Sequence, residues 1–245
     1  MISTQRTRGL TNSYLNGNDT VLLLIYNGRD EMKRAIGTME SLPIAADPVI
    51  NSRATSISQA LIKLNNKALK LHANDVFADY SEQIGQILML AQSVNKRNTK
   101  DLNAFAKESS SIMMEIMLPM TEYVGQLRGY GSGIAAKGNI KKEEFEHISL
   151  LIHEIQKFNE KLKIQINKLI HDFPKESSVD MPEEIEAVYQ AAKDYTELTE
   201  DKFSKDAISV DSNNYFDRGT KLISLIIQAY NTSNEAILKD SKGWL

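Results

Sequence analysis

Apolar residues recur at spacings of three, four and seven through most of this chain. The clearest run lies in 141–171, where Ile148, Ile152, Ile155, Leu162, Ile166 and Leu169 mark one stripe of a helix. The same reading predicts helices over 3–16, 19–42, 49–71, 75–96, 101–137, 182–205 and 211–240. Breaks fall at Asn16-Gly17-Asn18 and at Pro43, Pro48 and Pro174. Asn74 or Asp75 is the expected cap of the fourth helix, and Asp211 or Ser212 that of the last. Pro119 sits inside the fifth helix, where it removes a backbone hydrogen bond and should bend the chain. Met113, Met114, Met117 and Met120 follow helical spacing around it. Core filling explains them, with a malleable apolar contact surface as the alternative.

The predicted class is all-α with no sheet, and the eight helices fall into two sets of four. Arg8 in the first helix is followed by Tyr80, Ile87 and Leu88 in the fourth. Arg128 in the fifth is followed by Tyr215, Leu222 and Ile223 in the eighth, with the same internal spacing. Four antiparallel helices are the simplest way to bury one stripe each. The expectation is two stacked up-down four-helix bundles, 1–98 and 99–245, joined through the long helix kinked at Pro119.

What breaks the pattern is a pair of segments rich in polar and small residues. Gln126-Leu127-Arg128-Gly129-Tyr130-Gly131-Ser132-Gly133 and the residues up to Lys137-Gly138 put four glycines and an arginine inside a helix. Each interior glycine costs about 1 kcal/mol relative to alanine. That cost implies close backbone approach, or room for something small. Gln5-Arg6-Thr7-Arg8-Gly9-Leu10-Thr11, running on to Gly17, echoes it near the start. Of the 29 basic residues only eight are arginine, yet Arg6, Arg8 and Arg128 fall in or beside this motif. Guanidinium offers paired donors that match a carboxylate, nitrate or a similar oxyanion. Arg8 and Arg128 are expected to enter one polar pocket from different helices, with Tyr14, Tyr130 and Ser132 as candidate neutral donors. The competing reading pairs each arginine with a glutamate of a neighbouring helix, such as Glu122 or Glu115.

Composition narrows the chemistry. The chain has 245 residues, 42% apolar and 25% charged, which suits a folded domain with a large core. Its net charge of -3 gives no long-range pull toward nucleic acid, and Lys141-Lys142 and Lys96-Arg97 are too small for such a footprint. Cysteine is absent, which removes disulfides and thiolate metal sites. Val21–Tyr26 is the most apolar run and is far short of the roughly 20 residues of a membrane span. Met1 lies close to the first motif, and the expectation is a domain excised from a longer protein. Lys239, Lys242 and Trp244 could mark an approach to a membrane interface.

A bundle raises the possibility of a carboxylate-bridged metal site, which needs two Glu-x-x-His pairs; only Glu144/His147 matches. His153 and His171 read as surface residues, and His72 sits at a helix end. Nucleophile-elbow, phosphate-loop, dinucleotide and zinc-protease motifs are absent. No cofactor, metal or catalytic role is therefore expected.

At these residues the chain resembles bacterial nitrate- and nitrite-sensing domains and related double-bundle sensor regions of methyl-accepting chemotaxis receptors. Gln5–Thr11 is similar to the family's first-helix motif, and Leu127–Gly133 to the second. Asn214-Tyr215-Phe216-Asp217-Arg218-Gly219-Thr220-Lys221-Leu222-Ile223 resembles the stretch such receptors carry before their second membrane helix. The resemblance implies an extracytoplasmic (periplasmic) sensor, membrane-tethered and homodimeric, in which Arg8 and Arg128 contact a small anion. Arg6 ranks below them, because many relatives have other residues there. Leu127 stands where the second motif commonly has an acidic residue, so a small carboxylate stays open beside nitrate or nitrite. A structural or adaptor bundle without a small-molecule ligand is the competing class.

Overall fold

The computed structural model describes residues 1–204 and 207–242 and is all-α. Eight helices are present among the described residues: α1 (Ile2–Leu15), α2 (Leu22–Glu40), α3 (Pro48–Lys67), α4 (Ala73–Asn98), α5, α6 (Lys142–Asp172), α7 (Met181–Phe203) and α8 (Ser212–Lys242). Helix α5 runs from Ala104–Ile112 through a π turn at Met113–Met117 into Leu118–Lys137. The ring of Pro119 cannot donate to the preceding turn and crowds it. The π turn just upstream is where the helix absorbs that misfit.

Local signals set most helix ends. Asp47 accepts from the amides of Val49 and Ile50 at 2.9 and 3.1 Å, with Pro48 opening α3. Asn103 accepts from Ala106 at the start of α5. Gly138 ends α5 with φ at +78°, a conformation that side chains disfavour. One expected cap differs, and the other falls on the first of its two candidates. Helix α4 begins earlier than expected, with His72 ahead of it, so Asn74 and Asp75 lie inside the first turn. Asp211 accepts from the amide of Asn214 before α8, whereas the Ser212 hydroxyl reaches into the fold instead.

Buried apolar side chains gather in two main clusters among the described residues. One draws on residues 32–90 and includes Met32, Leu61, Val76, Tyr80 and Leu90. The other draws on residues 105–236, including Met113, Met117, Met120 and the whole α6 stripe. Between them lies a smaller group of Leu10, Val21, Ile25 and Phe216. Helix α1 packs on α2, α4 and, most extensively, on the second half of α5, which in turn packs on α6 and α8. No helix among the described residues is long and apolar enough to cross a membrane. Trp244 and the side chain of Lys242 lie outside the described residues; Lys239 is exposed.

Candidate anion site

Helix α1 is largely buried although most of its residues are polar. Thr4, Gln5, Thr7, Arg8, Thr11, Asn12 and Ser13 are all buried. A polar helix survives in such a place only if its donors and acceptors find partners. Its neighbour, the second half of α5, is equally enclosed. The two helices run parallel: Gly125 lies against Gln5, Gly129 against Gly9 and Gly133 against Asn12.

At Gly9 and Gly129 the backbones touch. A β-carbon on Gly129 would stand 2.8 Å from Cα of Gly9, and one on Gly9 would stand 3.0 Å from Cα of Gly129. This close approach explains why the motif accepts glycine inside a helix. Asn12 locks the crossing by donating to the Gly129 carbonyl at 2.9 Å.

The arginines beside these glycines sit in matched surroundings. The Arg8 guanidinium lies over Phe77 at 4.8 Å and donates from Nη1 to Ser81 Oγ at 2.8 Å. The Arg128 guanidinium lies over Phe216 at 4.5 Å and donates from Nη1 to Thr220 Oγ1 at 2.9 Å. In each case the hydroxyl is four residues after the ring and donates back to its carbonyl. Each ring also abuts the glycine of the opposite motif, Phe77 against Gly129 and Phe216 against Gly9. The duplicated sequence motif is thus a duplicated geometry, α1 with α4 and α5 with α8.

Charge is where the copies part. Arg8 meets Glu122 of α5 through both terminal nitrogens, at 2.5 and 3.3 Å, and both groups are buried. Gln5 and Gln126 each donate to the same carboxylate at 2.8 Å. Arg128 is 1% exposed, and no carboxylate among the described residues pairs with it. Its Nε and Nη2, the side-on fork of the guanidinium, have no hydrogen-bond partner. Burial, with Arg8 and Arg6 adding repulsion, pulls its pKa down to about 10. A buried cation without an anion is costly, so such a fork is suited to receiving one.

A cleft of about 610 Å³ is lined by Ile2, Arg6, Glu31, Phe216 and Thr220 among others, and Arg128 itself does not line it. Phe216 and Thr220 are the two residues that hold the Arg128 guanidinium. A family model described as nitrate and nitrite sensing matches residues 2–238. The chain belongs to that family. No curated protein and no solved structure matches it. Membership makes it a sensor domain of signalling proteins and implies a non-catalytic role.

The remaining motif residues fall as follows in this sensor domain. Arg6 is half-exposed, bonds Glu31 of α2 at 3.2 Å and faces the cleft. Ser132 is buried, and its hydroxyl donates to the Gly129 carbonyl of its own helix. Tyr130 packs edge-on to Phe77 and His147, away from the guanidinium forks. Tyr14 packs on the group containing Phe216. The hydroxyls that reach the arginines are Ser81 and Thr220, which sequence reading did not single out. The signal was present in the phenylalanine-to-hydroxyl spacing, but aligning Tyr80 with Tyr215 put the two copies out of register. Glu115 is exposed. Glu144 bonds Lys137 at 2.6 Å and the Lys141 amide at 2.8 Å, closing the turn between α5 and α6.

Proposed function

We propose that this chain is the extracytoplasmic ligand-binding domain of a bacterial chemoreceptor-like protein and that it recognises nitrate or nitrite on Arg128. The observation that carries this reading is the free side-on fork of a fully buried arginine whose stacking ring, Phe216, and hydroxyl partner, Thr220, line a cleft. A planar oxyanion with two oxygens toward Nε and Nη2 supplies the missing partner. Bidentate contact of that kind combines charge with direction. Family membership supplies the ligand class; family resemblance supports the location, the membrane tether and a homodimeric assembly. We read the two apolar clusters as two four-helix halves, 1–98 and 99–245, meeting at the Gly9–Gly129 crossing. An anion on Arg128 then acts where the halves join, and a helix shift of about 1–2 Å there is the scale of known switches.

Thermal unfolding with sodium nitrate or nitrite tests the reading. A ligand at 100 times its Kd should stabilise the fold by about 2.7 kcal/mol. Arg128→Met should fold and lose that response. A response that survives Arg128→Met unchanged overturns the assignment.

A further inference from the structure

The repeat relates more than the arginines. Glu122, six residues before Arg128, reaches across to Arg8; the residue six before Arg8 is Ile2. Gln126, four residues after Glu122, donates to its carboxylate; the residue four after Ile2 is Arg6. Ile2 and Arg6 line the same cleft as Phe216 and Thr220. The first seat therefore holds a carboxylate fastened to the chain, flanked by two amides. The matching positions of the second supply an apolar side chain and a cation, Arg6, whose only carboxylate partner among the described residues is Glu31 of the cleft wall.

We propose that Glu122 is a built-in substitute for the ligand. Its carboxylate fills the anion seat on Arg8, so the chain takes one oxyanion of the nitrate or nitrite class, on Arg128, with Arg6 as the flanking cation. This rests on the anion reading of Arg128 given above. The substitution is chemically natural, because a carboxylate and these anions share a single negative charge and planar oxygens that meet a guanidinium edge-on. The division of labour follows. The Arg8 seat carries its anion within the chain, on the two terminal nitrogens with Nε left unpartnered, and pins α1 to α5. The Arg128 seat gains its partner only on binding, so occupancy is felt on α5 and α8.

Isothermal titration of the chain with sodium nitrate and sodium nitrite tests this. The wild-type chain should bind one anion. Glu122→Ala opens the first seat and should bind two, and sodium formate should raise its melting temperature more than that of Glu122→Gln, which keeps the side-chain volume. Ile2→Glu places a carboxylate at the matching position of the second seat. It should bind none while melting higher than wild type in nitrate-free buffer.

Two anions on the wild-type chain, or one on Glu122→Ala, overturn the inference but leave the Arg128 reading in place. Unchanged binding by Ile2→Glu also overturns it, and that variant decides the matter alone if Glu122→Ala does not fold. No binding by the wild-type chain removes the anion reading itself, and the inference with it.

Discussion

Arg8 rests on Phe77, bonds Ser81 and is met by Glu122; Arg128 rests on Phe216, bonds Thr220 and is met by no carboxylate among the described residues. Two copies of one arrangement thus hold one cation paired with a carboxylate and one without. The lesson concerns how a duplicated fold divides its roles. The buried pair fixes the crossing of α1 and α5, because parting it would strand a charge. The unpaired copy carries an uncompensated burial cost, which the anion of the proposed function would relieve.

The largest expected effect breaks the satisfied copy. Glu122→Ala should lower stability by about 3–5 kcal/mol in urea unfolding, since Arg8 is left buried and unpaired. A loss typical of a surface pair, under about 1 kcal/mol, would show that water reaches Arg8. The opposite sign is expected on the other side. In nitrate-free buffer, Arg128→Met should stabilise the fold by about 1–4 kcal/mol, the range found when buried charges give way to apolar side chains. A destabilised Arg128→Met would mean that the stacking on Phe216 outweighs the burial cost.

The glycines sharpen the comparison further. Gly129→Ala forces a β-carbon against the Gly9 backbone and should cost about 1–3 kcal/mol, an overpacking penalty, by the same unfolding assay. Gly37→Ala, in exposed α2 with nothing within 4 Å, should gain roughly 0.5–1 kcal/mol. Equal effects at both sites would refute the close crossing.

The smallest effect is on pH dependence. Burial holds the His147 pKa below 6.5. A base with a depressed folded-state pKa keeps its contribution above the unfolded value and loses it as pH falls through the folded one. Melting temperature should therefore decline below about pH 6.5, and His147→Gln should flatten that part of the decline.

Helix by helix, much was legible without coordinates. Periodicity marked most helices, because a 3.6-residue repeat of apolar side chains has few other uses, and prolines and glycines marked the breaks. The duplicated Arg-Gly motif was also legible, since interior glycine is expensive enough to need a reason. Its two explanations, close approach and an anion, could not be told apart in one dimension. The fourth-helix cap was misplaced because Asn74 and Asp75 suit a cap by type, yet the chain turns helical just before them.

The sequence by itself determined an all-α chain, most of its helix boundaries and a twice-used arginine motif, because these depend on local spacing and side-chain type. Only the tertiary structure decided that Gly9 meets Gly129, that Ser81 and Thr220 are the hydroxyls on the arginines, and that Glu122 pairs with Arg8 and not with the nearer-in-sequence Arg128. Those outcomes depend on which helices run side by side and in what register. A parallel crossing sends Glu122 across to α1, and that choice of neighbour leaves Arg128 buried with no carboxylate partner among the described residues.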